Sequence, residues 1–216
     1  MRAPTALRVS VTDRCDLRCA YCMPASGIRL DGRFELLSLE ELAEVVEWIH
    51  AARPLEKIKL TGGEPLVRAN LPTLLERLAR LDGRPELSMT TNGTRLAEMA
   101  YPLARAGLTR VNISLDTLDP VRYRALTRGG RLDRVLAGVL AARVAGLAPI
   151  KLNAVLRRST WREDVPALLE FAAEHGLELR FMELLLTGTE RAGCENEALA
   201  AEEGLAWLAA QSARGL

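Results

Sequence analysis

Three of the chain's four cysteines, Cys15, Cys19 and Cys22, fall within eight residues in VTDRCDLRCAYCMP, and the fourth, Cys194, lies far downstream. Thiolates are soft metal ligands, and three on one short loop can cap three irons of a cubane iron–sulfur cluster. The fourth iron then lacks a protein ligand. An open iron suits chemistry, whereas simple electron transfer is served by four cysteines. A closed zinc site wants four ligands, usually as two pairs, and the only histidines, His50 and His175, fall in stretches that read as helix. A disulfide framework would not cluster thiols in this way. Cys194 reads as an isolated, small hydrophobic cysteine.

A second set of residues points to an anionic ligand. Arg8, Lys57, Lys59, Lys151 and Arg180 share one face of a series of β-like runs. Converging cations in a chain of net charge +1 suit a polyphosphate or another anion. The competing reading is internal pairing with Glu64, Asp116 and Glu178. Thr61-Gly62-Gly63-Glu64-Pro65 follows the second of these runs, and glycines there let backbone approach a ligand closely.

The elements that must position these groups alternate. Strands are expected at 7–12, 57–61, 87–91, 110–115, 150–155 and 178–182, and helices at about 38–52, 70–81, 94–106, 131–145, 163–175 and 196–211. Ser38 with Glu41 three residues on forms a capping box, and Gly107, Gly146 and Gly176 stand where helices should stop. Strict β/α alternation implies a parallel sheet with right-handed crossovers. A closed eight-unit barrel takes roughly 250 residues, so six units need roughly 190. A partial, open (βα)6 barrel fits, with a doubly wound sheet as the alternative. Side chains alternate across a strand. One face here is apolar (Val9, Ile58, Leu60, Met89, Ile113, Leu152), while the other carries Arg8, Lys59, Thr90, Asn112, Ser114 and Lys151. Parallel strands buried on both faces read as continuous apolar runs. A shared polar face therefore favours a barrel whose interior holds a polar ligand.

The C-x3-C-x2-C spacing, with Tyr21 before the last cysteine, resembles the radical S-adenosylmethionine superfamily. The resemblance implies one [4Fe-4S] cluster held by Cys15, Cys19 and Cys22, whose open iron binds S-adenosyl-L-methionine. It also implies reductive cleavage of that cosubstrate to a 5′-deoxyadenosyl radical, which removes hydrogen from the substrate. Gly62, Gly63 and Glu64 match the superfamily's GGEP segment, and Tyr21 and Ser114 match positions that contact the cosubstrate. LRVSVTDRCDLRCAYCMP, KIKLTGGEPLVR, TTNG, RVNISLDTLDP and KLNAVLRR together look like the GTP 3′,8-cyclase family of molybdenum cofactor biosynthesis, over about residues 7 to 183. That match implies a lyase binding GTP through Arg8, Lys59, Thr90 and Lys151. Position 59 is often arginine in that family, and lysine keeps the charge but loses the bidentate fork. The departures are three. The family's C-terminal region with a second cluster is lacking. Leu185-Leu186 replaces a Met-Pro pair, so the cosubstrate wall falls to Leu185. Arg214-Gly215-Leu216 stands where the family ends in paired glycines.

The expected organisation is a radical core over 1–190 and a helical extension over 191–216, without a second-cluster domain. Leu199, Leu205, Trp207 and Leu208 of that extension are expected to pack on the barrel flank, with a small dimer surface as the alternative. Aromatics at 4% and a balanced charge give no nucleic-acid surface. No signal peptide or membrane span is read, and the expected compartment is the cytoplasm. The expected partners are an anionic small molecule with GTP as first candidate, and an external electron donor such as flavodoxin or ferredoxin. Without a C-terminal cover, the substrate, a second copy or another protein must shield the radical. Two further readings stand beside this one: radical modification of a peptide, sugar or other metabolite, and a non-catalytic cluster sensor.

Overall fold

A computed structural model of the chain describes residues 5–27, 36–185 and 194–212. Six strands form it: β1 (Ala6–Ser10), β2 (Lys57–Thr61), β3 (Glu86–Thr91), β4 (Arg110–Ser114), β5 (Ile150–Val155) and β6 (Glu178–Met182). They make one sheet in the order β1-β2-β3-β4-β5-β6, every neighbouring pair parallel. A doubly wound sheet reverses direction at a switch point. Here the order never reverses, so each crossover returns on the same side and the sheet curls as an unclosed barrel.

The helices are α1 (Leu39–Ala52), α2 (Leu71–Leu78), α3 (Leu96–Arg105), α4 (Pro120–Leu126), α5 (Leu132–Val144), α6 (Trp161–His175) and α7 (Ala201–Ser212). The Ser38 hydroxyl accepts the Glu41 N–H at 3.1 Å and the Glu41 carboxylate accepts the Ser38 N–H at 2.7 Å, so the capping box forms. Gly107, Gly146 and Gly176 all take positive φ where α3, α5 and α6 stop. The helices bury the apolar strand face: Ile58, Leu60, Met89, Ile113, Leu152 and Ala154 are fully enclosed in one core. Burying such side chains supplies roughly 1.5–3 kcal/mol each, which fixes the opposite face toward the barrel interior.

Apart from shifts of up to three residues at element ends, two elements differ from expectation. Periodicity gives no helix at 120–126, yet α4 forms, with Asp119 as N-cap accepting the Val121 and Arg122 N–H groups at 2.8 Å and Pro120 at the first helical position. At the other end, residues Glu195–Glu197 make a single 3-10 turn and α7 begins only at Ala201. Leu199, Trp207 and Leu208 pack with Leu156, Trp161, Val165 and Phe181 in a second small core, while Leu205 is 65% exposed. The expected flank packing thus holds for three of the four apolar residues. Leu186 and Arg214-Gly215-Leu216 lie outside the described residues.

Candidate active site

The loop after β1 carries the three clustered cysteines and is held from three sides. Its first part is laced to the glycine segment after β2. Gly63 donates its N–H to the Thr12 carbonyl at 2.7 Å and Glu64 donates to the Arg14 carbonyl at 2.8 Å. This contact demands glycine: a Cβ at Gly62 would lie 2.4 Å from the Thr12 oxygen, and one at Gly63 2.4 Å from the Arg14 oxygen. Its middle docks on the end of α4, where the Arg18 and Ala20 N–H groups donate to the Thr127 and Leu126 carbonyls. Its last part folds into a tight turn, the Cys22 and Met23 N–H groups both donating to the Cys19 carbonyl at 2.9 and 3.0 Å. That turn presents Cys19 and Cys22 together.

Cys15 and Cys19 are half-buried and Cys22 is exposed. Burial first, then the neighbouring negative groups including Cys22, push the Cys15 thiol up. The same causes, with Asp116 ahead of the other two thiols, bring Cys19 up to about 12. Burial and the negative groups beside them disfavour free thiolates at Cys15 and Cys19, and a bound cation would offset that cost. The donor set therefore fits a metal cluster. Among the described residues no three His, Cys, Asp or Glu groups converge on a single ion; a cubane instead spreads its three thiolates over separate irons. Cys194 lies with its sulfur 3.9 Å from the Ala20 carbonyl, against this loop.

Around the thiols stand polar side chains that the strand ends supply. Asn92, just past β3, donates to Asp16 at 2.7 Å and reaches the Cys15 sulfur at 3.9 Å. Tyr21 donates its hydroxyl to Asp116 at 2.6 Å, and the other Asp116 oxygen accepts the Val155 N–H at 2.8 Å. Loss of hydration pushes the Asp116 carboxyl up and, with Asp116 beside it, the Tyr21 phenol up as well. Glu64 faces inward. Its carboxylate accepts from Thr91 at 2.6 Å, the Asn92 N–H at 2.6 Å and the Leu66 N–H at 3.0 Å, so it braces the glycine segment against β3. Leu185, beyond β6, is 72% exposed.

Below the thiols the inner sheet face carries the cations. Register aligns Arg8, Lys59, Ser88 and Arg110 across β1 to β4, and Thr90, Asn112, Lys151 and Glu178 across β3 to β6. Ser114 pairs with Asn153, which in turn pairs with Arg180. Burial, then Arg8, Arg110, Arg180 and Lys151, hold the Lys59 ammonium below its ordinary range. This mutual repulsion shows that these side chains converge. Arg110 was not among the five cations singled out from sequence, although its parity in RVNIS places it on this face. The pairing alternative holds in part. Lys151 pairs with Glu178 and Arg110 with Glu86 at 2.7 Å, but Glu64 and Asp116 bond to uncharged donors instead. Lys57 is exposed at the start of β2, opposite Ala6 and Glu86.

The family model of the Radical SAM superfamily matches residues 9–172. The chain is 53% identical over 182 residues to GTP 3′,8-cyclase 1 of Pseudomonas aeruginosa, a match covering 84% of this chain and 55% of that protein. It is 45% identical over 209 residues to GTP 3′,8-cyclase of Moorella thermoacetica, covering 97% and 61%. The chain thus spans little more than half the length of these curated relatives. Among solved structures, anSMEcpe with bound AdoMet superposes with a TM-score of 0.70 at 18% identity, covering 93% of this chain and 55% of that one. Streptococcus suis SuiB bound to S-adenosylmethionine gives 0.65 at 22%, covering 82% and 38%. These likenesses show the fold: an open parallel sheet shared with radical SAM structures.

Proposed function

The chain belongs to the radical SAM superfamily, whose members use a [4Fe-4S] cluster and S-adenosyl-L-methionine, and from that premise we propose that it is the radical-forming core of a GTP 3′,8-cyclase-like enzyme. The observation that carries the proposal is the stacking of two sites on one barrel: three mutually interacting thiols on the β1 loop, above a sheet face on which Lys59 is surrounded by four other cations. Cys15, Cys19 and Cys22 would hold the cluster. When bound, the cluster and S-adenosylmethionine supply a 5′-deoxyadenosyl radical that takes hydrogen from the substrate.

The chain's own residues bind and orient. Gly62 and Gly63 let the β2 segment pack directly on the cysteine loop, which would hold peptide groups beside the thiols for a methionyl group to lie against. Ser114 and Tyr21 flank the same space. Arg8, Lys59, Thr90, Lys151 and Arg180 would receive the triphosphate, with Arg110 as a sixth contributor. In a partly buried site such charge-assisted bonds are roughly twice as strong as neutral ones. The proposed division is a radical core over 1–190 and an extension over 191–216, of which Leu199, Trp207 and Leu208 pack against the core's flank.

A second reading, the same radical chemistry on another metabolite or a peptide, draws on Leu185, which leaves the expected cosubstrate wall exposed. Anaerobic reconstitution tests the proposal. The parent protein should take up four irons per chain and, once reduced by dithionite, release 5′-deoxyadenosine from S-adenosylmethionine, faster with GTP present. Cys19→Ala should take up none while keeping its circular dichroism. A zinc-loaded parent, or a reduced cluster that never yields 5′-deoxyadenosine, would remove the enzyme reading. Cleavage indifferent to GTP but stimulated by another metabolite would move the chain to the second reading.

A further inference from the structure

We propose that the groove between α4 and α5 is the docking surface for an acidic one-electron carrier protein. The inference rests on the reading that the three thiols hold a redox centre, because such a centre must be recharged from outside the chain.

The groove is an open cavity of about 1180 Å³ with Pro120, Val121 and Leu136 in its lining and Arg124, Arg128 and Arg131 among them. Val121 is 76% exposed, and all three arginines are exposed. The segment 119–134 holds five arginines (Arg122, Arg124, Arg128, Arg131, Arg134) against two aspartates (Asp119, Asp133), a surplus of three in a chain whose net charge is +1. Asp133 pairs with Arg131 at 2.5 Å and offsets part of that charge. Arg122 turns away to Glu163 and Asp164. Arg18, on the cysteine loop itself, is a further exposed cation beside the groove. An apolar strip with a cationic rim is the complement of a small acidic protein, and electron-transfer encounters use small surfaces steered by charge.

Position makes the carrier the fitting occupant. The α4–α5 segment lies directly against one side of the cysteine loop. Leu126 and Thr127 accept the loop's Ala20 and Arg18 N–H groups. Arg128, which lines the groove, donates to the Met23 carbonyl at 2.6 Å and the Arg18 carbonyl at 3.3 Å. Met23 adjoins Cys22 and Arg18 adjoins Cys19. Arg128 thus ties the groove to the backbone next to two of the three thiols. Electron transfer slows steeply with the thickness of protein crossed, and the opposite side of the loop faces the substrate cations. A carrier seated in the groove approaches the centre without entering the substrate space.

The test uses the reconstituted 216-residue chain and a bacterial flavodoxin as the acidic probe. The variant R124E/R131E reverses the rim, R124Q/R131Q neutralises it in case reversal disturbs folding, and Arg128 is left in place because it holds the loop. The parent should bind immobilised flavodoxin with an affinity that falls as salt is raised. The reversed rim should bind at least about tenfold more weakly and the neutral rim by an intermediate factor, with iron content and dithionite-driven 5′-deoxyadenosine release unchanged. No binding by the parent, salt-independent binding, or equal binding by parent and both variants would overturn the proposal. RNA binding with the same arginine dependence, without flavodoxin binding, would reassign the groove and overturn it too. Failure of the enzyme reading is seen separately, as no 5′-deoxyadenosine with dithionite, which needs no docking; the flavodoxin comparison still decides the groove.

Discussion

Glu64 shows how one buried carboxylate can set the geometry of two loops. It is 1% exposed and accepts three hydrogen bonds, one from a Thr91 hydroxyl that itself accepts the Gly93 N–H at 3.0 Å and so has only its own proton to give. Loss of hydration outweighs these donors and brings its pKa up to about 7 from 4.5. Between those values the folded chain holds a proton that the unfolded chain has released. The group's contribution is therefore full below pH 4.5 and is lost as pH rises through 7. At 1.36 kcal/mol per unit this amounts to about 3 kcal/mol. Glu64→Gln cannot titrate, so urea unfolding at pH 5 and pH 8 should show the parent losing about 3 kcal/mol relative to the variant across that interval. A gap that stays constant with pH would show that the carboxylate does not change state. Gln also turns an N–H₂ toward donors, and at pH 8 that mismatch should leave the variant about 1–3 kcal/mol below the parent. The residue-scale site was only half legible. Cys15, Cys19, Cys22 and the strand cations declare themselves by type and parity. The inward bracing by Glu64 and the Tyr21–Asp116 bond depend on which donors a folded neighbour brings, and sequence spacing does not carry that.

Helix α1 follows the cysteine loop and leads into β2, so its start governs how that crossover closes. Ser38→Ala removes one half of the capping box and should cost about 1 kcal/mol. For a chain of this size that lowers the melting temperature by roughly 2–4 °C. Iron uptake should be unchanged, because the cap touches neither the thiols nor the cations. A loss of iron binding in this variant would mean that α1 does more than close the crossover. This box was readable because its signal is local, and so were β2, whose two-residue alternation is unbroken, and β5 and β6, where it fails only at the last residue. The expected 7–12 strand ends instead at Ser10: Val11 still donates to the Thr61 carbonyl of β2, but Thr12 turns its carbonyl to the Gly63 N–H of the loop beyond. Helix α4 escaped because seven residues are too few for a 3.6-residue period, although Asp119-Pro120 is itself a start signal. The late start of α7 is a tertiary effect. ENEALAAEEG favours helix throughout, but Glu197 is drawn to the Ser159 N–H and hydroxyl while Leu199 is buried, and those contacts break the run.

At the scale of the whole molecule, charge is organised rather than abundant. A net charge of +1 conceals an inner row in which cations repel one another and depress Lys59. Such a row is strained without an anion and relieved by one, so a polyphosphate should stabilise the fold through it. Ligand at a hundred times its dissociation constant adds about 2.7 kcal/mol. Thermal melting of the parent with GTP should then rise by roughly 5–10 °C. Inorganic triphosphate should reproduce much of the shift, because the row recognises phosphate rather than the base. Lys59→Ala should lose most of the shift with either ligand while melting alone at or slightly above the parent, since the mutual repulsion is relaxed. Arg110→Ala should lose a smaller part and also melt lower alone, because Glu86 is left without its cation at 2.7 Å. Partial burial screens the row less than exposed pairs are screened, so the GTP shift should persist in 0.15 M salt, where flavodoxin docking at the surface groove weakens. A parent that melts identically with and without GTP and triphosphate would deny the row any anion, and equal shifts in parent and Lys59→Ala would place the anion elsewhere on the chain.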